Sequence, residues 1–188
     1  MRSLALLIGF VLMFSFPAGK LPITVFPLGG FALLLFAVLR MEKMEPVFKK
    51  AKIFLLITLP ISAALLGLQI YDTVADVAVW YGAVYFAVQL LTELVEIAAM
   101  FFIYVGVKII GTQTEITTLE KQPARNMTLM FVYFALQIIM SALYYFAPSL
   151  FSGFEFVLIY PFLVGYIWRA MNIWMAFTLL TKISVSKS

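Results

Sequence analysis

Residues 79–110 read VWYGAVYFAVQLLTELVEIAAMFFIYVGVKII, and this run decides the fold class. Its charged residues are Glu93, Glu96 and Lys108, and everything else is apolar, aromatic, small or uncharged polar. As a helix rising 1.5 Å per residue it is about 48 Å long, against a bilayer hydrocarbon core of roughly 30 Å. Such a segment is long enough to cross a membrane with length to spare, so it must tilt strongly, project beyond the lipid or break. The composition of the whole chain agrees with a lipid setting. Of 188 residues, 64% are hydrophobic and 12% charged, whereas a soluble domain is about half apolar and a quarter charged. A domain this size folded in water still exposes about a third of the surface of its unfolded chain. The solvent for the apolar surplus is therefore lipid.

Working outward with charges as stops gives five further apolar runs. The expected fold is all-α, a single polytopic transmembrane bundle of six helices over about residues 4–18, 25–39, 53–70, 79–110, 127–146 and 154–181. The first run, Leu4 to Phe16, is short and gains length by continuing through Pro17 and Ala18. Arg2 ahead of this run also fits a secretory signal, but Ser15 to Lys20 lacks a small-x-small cleavage site, so a retained span is expected. The second run is punctuated by Pro22, Pro27, Gly29 and Gly30, and the third carries Pro60, where a kink is expected.

Orientation follows from the basic residues. With a cytoplasmic N-terminus, Arg2, Arg40, Lys43, Lys49, Lys50, Lys52, Lys108, Lys121, Arg125, Lys182 and Lys187 all fall inside. Lys20 is left outside and Arg169 within the membrane, so both termini are expected to be cytoplasmic. The loop from Arg40 to Lys52 carries a basic cluster, read as a topology signal. The loop from Thr112 to Arg125 contains Thr117-x-x-Glu120, a capping-box spacing expected to open a short surface helix before Pro123. On the outer side, Tyr71, Trp80 and Tyr81 form an aromatic belt, and Asp72 and Asp76 favour the start of the fourth helix.

The chain has no cysteine and no histidine. Disulfides, thiolate zinc sites, iron–sulfur ligation, imidazole-bound haem, His-dependent nucleophiles and the HExxH metalloprotease helix are all excluded. No metal or other cofactor is expected, and an enzyme is the weaker reading. What remains is carboxylates, tyrosines, hydroxyls, amides and one arginine inside a span.

Ionisable groups in a bilayer are costly and point to function or pairing. Glu96 lies twelve residues from Lys108 and Arg169 thirteen from Lys182, depths of about 18 and 20 Å from the inner boundary. At matched depth, Arg169 is expected to contact Glu96, Glu93 or both. Gln89, Thr92, Glu93 and Glu96 follow i, i+3, i+4, i+7 and share one helical face. The fifth helix offers Tyr133, Gln137, Ser141 and Tyr144, the sixth Gly165, Tyr166, Arg169 and Asn172, and the third Thr58, Ser62 and Gln69. Lipid cannot satisfy these groups, so the stripes are expected to enclose a polar core. Glu93, Glu96, Arg169, Gln89, Asn172, Gln137, Tyr133, Tyr144 and Tyr166 are the candidate substrate-binding or proton-coupling residues. Two readings fit them. One is a small carrier or membrane-embedded binding subunit for protons or a small cationic or amphipathic ligand, with a partner subunit. The other is a structural or regulatory protein whose buried charges fix helix packing. The lipid bilayer is a partner in both, and nucleic acid in neither.

Phe26-Pro-Leu-Gly-Gly-Phe-Ala-Leu-Leu-Leu-Phe-Ala-Val-Leu39, followed by Val47-Phe-Lys-Lys-Ala-Lys52, resembles the second and third helices of uncharacterised multi-span proteins from Gram-positive anaerobes. Those proteins pair a proline and glycine at a helix entry with a Phe-x-Lys-Ala element before the next helix. The resemblance implies a multi-pass protein of a bacterial cytoplasmic membrane and assigns no activity.

Overall fold

A computed structural model describes residues 2–12, 25–74, 81–147 and 159–185. These residues form six helices: α1 Arg2–Leu12, α2 Val25–Met41, α3 Phe48–Val74, α4 Tyr81–Gln113, α5 Thr117–Phe146 and α6 Ile159–Val185. Each packs against the next in chain order, and α6 returns to pack against α1, so the bundle closes as a ring. Four segments are long and apolar enough to cross a membrane: Phe48–Asp72, Tyr81–Gln113, Thr117–Tyr144 and Leu163–Lys182. The apolar part of α2, Leu28–Met41, is shorter. The eleven residues of α1 reach about 16 Å. The continuation of the first span through Pro17 and Ala18, Lys20 and Pro22 in the following loop, Asp76 and Trp80 of the outer belt, and the start of the sixth span at Phe154 lie outside the described residues.

Helix length and lipid-immersed length differ in this chain. A helix keeps its backbone hydrogen bonds whether its side chains meet lipid or water, so an apolar run marks immersion and not the helix ends. The loop between α2 and α3 is accordingly only residues 42–47, and Lys49, Lys50 and Lys52 lie in the first turns of α3, not in a loop. Lys52 reaches back to Glu42 in a half-buried ion pair at 2.7 Å. Pro60 sits within α3, and helix continues on both sides of it.

The short surface helix expected before Pro123 is not a separate element. Thr117 is the first residue of α5, which runs through Pro123 as one helix of 30 residues. A proline forfeits one i to i−4 hydrogen bond, and the long helical stretch that follows it supplies enough others to keep the helix whole. Nor does Thr117 cap the helix. The N-cap is Ile116, which makes no side-chain cap bond, and Glu120 sits in the first turn, where its charge suits the helix dipole.

The corner between α4 and α5 is tight. The N–H of Ile116 donates to the Gly111 carbonyl at 3.0 Å and that of Glu115 to Thr112 at 3.3 Å, the paired bonds of a Schellman closure. Glu115 occupies its left-handed position, at φ 56°, where glycine is the usual residue. Gly111 allows the approach, because a Cβ there would lie 2.6 Å from the backbone of Leu119.

The exterior is apolar. Leu56, Leu91, Leu94, Phe131, Ile139 and Phe177 are exposed, as lipid-facing residues are. Phe48, Leu55, Met100, Ile103, Met130 and Met175 are among the fully buried side chains. Because lipid tails are as apolar as leucine, close packing and interhelical hydrogen bonds hold such a bundle together.

Candidate intramembrane site

The buried residues of α4 are unevenly spread. Tyr81 and Thr92 are buried in the segment up to Ala98, and all the others fall between Ala99 and Gly111. Glu93 and Glu96 lie on the looser stretch, both partly buried.

The helical spacing read from α4 does join residues along one face. Gln89 Nε2 donates at 2.9 Å to Glu93 Oε1 and at 2.9 Å to Ser141 Oγ, tying the carboxylate face of α4 to α5. The Thr92 hydroxyl turns back to the Val88 carbonyl at 2.8 Å and contributes nothing across the gap. On α5, Gln137 Nε2 donates to the Tyr133 hydroxyl at 2.9 Å. Arg169 on α6 donates to the same hydroxyl at 3.4 Å, with its guanidinium 5.7 Å from the Tyr133 ring centre. Glu96 lies within electrostatic reach of both Arg169 and Glu93, and Tyr133 within reach of all three charges. Three helices thus bring Gln89, Glu93, Glu96, Tyr133, Gln137, Ser141 and Arg169 into one charged group. Gly165 makes room for it, since a Cβ there would meet the Tyr133 ring at 2.6 Å.

Asn172 belongs to a second group, one step deeper toward the α4–α5 corner. Trp168 Nε1 donates to the Tyr104 hydroxyl at 2.7 Å, and that hydroxyl donates to Asn172 Oδ1 at 2.8 Å. Asn126 Nδ2 donates to the same oxygen at 2.9 Å and approaches Met175 Sδ at 3.7 Å. Gln122 Nε2 donates to the Met171 carbonyl at 3.2 Å. Tyr104, Trp168, Asn126, Asn172 and Met175 are all essentially inaccessible. The two groups meet at Trp168, whose ring stacks on Tyr133 at 5.4 Å and 21° while its N–H serves Tyr104.

Tyr144 and Tyr166 are 56% and 41% exposed. Tyr166 is one helical step of about 100° from Gly165, which turns it away from the face shared by Gly165, Arg169 and Asn172. Tyr144 lies in the last turn of α5. On α3, Gln69 donates to the Tyr85 hydroxyl at 2.9 Å, and Thr58 turns back to the Phe54 carbonyl at 2.9 Å. The buried Ser62 hydroxyl has no hydrogen-bond partner among the described residues. Asp72 is exposed.

The second group contains the residues that sequence reasoning missed: Tyr104, Trp168, Gln122 and Asn126. Gln122 and Asn126 precede the apolar run that begins at Met127, so a count of apolar residues assigns them to the loop. The available signal was spacing, because Gln122, Asn126 and Tyr133 follow i, i+4, i+11 and continue the stripe of α5 downward. Comparison with known protein families, with curated proteins and with solved structures gives no match to this chain.

Proposed function

We propose that the protein is a small carrier or membrane-embedded binding subunit whose site is the charged group around Glu93, Glu96, Arg169 and Tyr133. The supporting observation is a division of labour. The hydrogen bonds that fasten α4, α5 and α6 in the fully buried part of the bundle come from the neutral Tyr104, Trp168, Asn126 and Asn172. The carboxylates instead occupy the less densely buried stretch of α4. Two carboxylates against one guanidinium leave an acid whose charge must be balanced, by a proton or by a small cationic or amphipathic ligand. Gln89, Gln137 and Tyr133 supply the neutral donors and acceptors that orient such a ligand.

The accompanying topology is a six-span, multi-pass protein of a bacterial cytoplasmic membrane with both termini inside, supported by the one-sided distribution of lysine and arginine. A second reading, a structural or regulatory membrane protein, is favoured by the buried neutral network at Tyr104 and Asn172, where the Trp168 N–H and the Tyr104 hydroxyl both find partners within the bundle. A thermal-shift screen of the purified protein against organic cations and metabolites separates the two. A stabilising compound whose effect is lost in Glu93→Gln or Glu96→Gln supports the carrier. A complete absence of hits, together with unchanged stability in both variants, rejects it.

A further inference from the structure

A second polar feature lies away from the carboxylates, where the start of α5 meets α6. A groove of about 320 Å³ opens there, lined by Thr117, Thr118, Lys121, Gln122, Arg125, Met171 and Trp174. Three observations give it a chemical character. The first is positive charge: Lys121 and Arg125, one turn apart on α5, are both exposed on the groove, and Glu120 in the same turn does not line it. The helix start adds to that charge, because Ile116 provides no side-chain cap and the first-turn N–H groups beside Thr117 and Thr118 carry the positive end of the dipole.

The second is an unsatisfied buried acceptor. Gln122 is 6% exposed; its Nε2 is used on the Met171 carbonyl, and its Oε1 has no hydrogen-bond partner among the described residues. A buried carbonyl of this kind has unused acceptor capacity, which a hydroxyl or amine donor reaching it would satisfy. The third is an apolar wall at one side. Trp174 is 59% exposed although it sits on a helix apolar enough to cross a membrane, and an exposed tryptophan next to cations is the signature of the lipid headgroup level. That level is shared by the other basic residues. Phe48, the first residue of α3, abuts Gly106, which places Lys49, Lys50 and Lys108 at the same end of the bundle as Lys121 and Arg125.

We infer that this groove binds the phosphate of an anionic phospholipid that carries a hydroxylated headgroup. Lys121, Arg125 and the start of α5 hold the phosphate, Gln122 Oε1 accepts a headgroup hydroxyl, and Trp174 lies along the glycerol and upper acyl chain. Phosphatidylglycerol has this combination of groups. Phosphatidylcholine has the phosphate without a headgroup donor and with a compensating cation, and inorganic phosphate has the anion without the chains.

The test uses the full-length protein in neutral detergent, with lipid binding read by native mass spectrometry and by thermal shift. Phosphatidylglycerol is expected to bind and stabilise at concentrations where phosphatidylcholine and inorganic phosphate do not. Lys121→Gln with Arg125→Gln is expected to weaken that binding roughly thirtyfold, and Gln122→Leu to abolish the preference for the hydroxylated headgroup. Lys49→Gln with Lys50→Gln, which removes two charges at the same end but away from the groove, serves as the control and is expected to leave binding unchanged. Equal loss in the control pair would overturn the site in favour of diffuse charge attraction. Stabilisation by inorganic phosphate alone, at equal strength, would overturn the lipid assignment. Because Lys121 and Arg125 are exposed, their replacement leaves the fold intact, and unchanged binding in that variant also overturns the inference.

Discussion

The two polar groups inside this bundle use the same helices and solve opposite problems. Around Tyr104, Trp168, Asn126 and Asn172 every side chain is neutral and buried, and Asn172 Oδ1 collects two donors from two different helices. Around Glu93, Glu96 and Arg169 the side chains are ionisable and partly buried, and the described bonds run through amides and a tyrosine hydroxyl. The contrast separates two uses of polarity in lipid. Neutral groups that bond one another across helices fix a helix arrangement, whereas ionisable groups at one level in a bilayer must be balanced, by one another, by a proton or by a ligand.

Four substitutions test this contrast, in falling order of expected effect. Arg169→Gln leaves two carboxylates without their counter-charge and is expected to destabilise by about 3 kcal/mol. Adding Glu96→Gln should restore most of that loss in a double-mutant cycle of thermal or SDS unfolding, and full tolerance of the single change would end the charge-balance argument. Asn172→Leu strands the Tyr104 hydroxyl and the Asn126 amide, with an expected cost of about 2 kcal/mol. Cations that stabilise the unaltered protein should not rescue it, because the described partners of Asn172 are neutral. Glu93→Gln keeps the acceptor for Gln89 while removing the charge, so stability is expected to change by less than about 1 kcal/mol while any cation-dependent stabilisation disappears. A larger stability loss here than in Asn172→Leu would reverse the roles given to the two groups. Outside both, Glu115→Gly relieves a left-handed backbone and is expected to stabilise by about 0.5–1 kcal/mol, setting the scale for a local effect that touches neither group.

The shared face of Gln89 and Glu93 was legible because helical spacing is set by the chain itself, whereas the bond from Gln89 to Ser141 on α5 was not. Arg169 illustrates the limit of that reasoning. Its depth was readable and placed it level with Glu96, which lies within its electrostatic reach, whereas its hydrogen bond to the Tyr133 hydroxyl depends on how α5 and α6 are rotated about their axes and could not be read. Tyr104 and Trp168 could not be singled out, because an aromatic residue on an apolar helix looks the same whether it meets lipid or the core. Asn126 and Gln122 were lost at a boundary, where an apolar count ends before the helix does.

The sequence by itself determined the solvent, the helical class and the axial positions of the charges, because each of these depends on composition and on a fixed rise per residue. The tertiary structure decided which faces meet: the closure of α6 on α1, the neutral knot at Asn172, the outward turn of Tyr166 and the groove beside Trp174. Those depend on the rotation of each helix about its own axis, and that angle is chosen by how side chains on different helices interlock, which no single helix encodes.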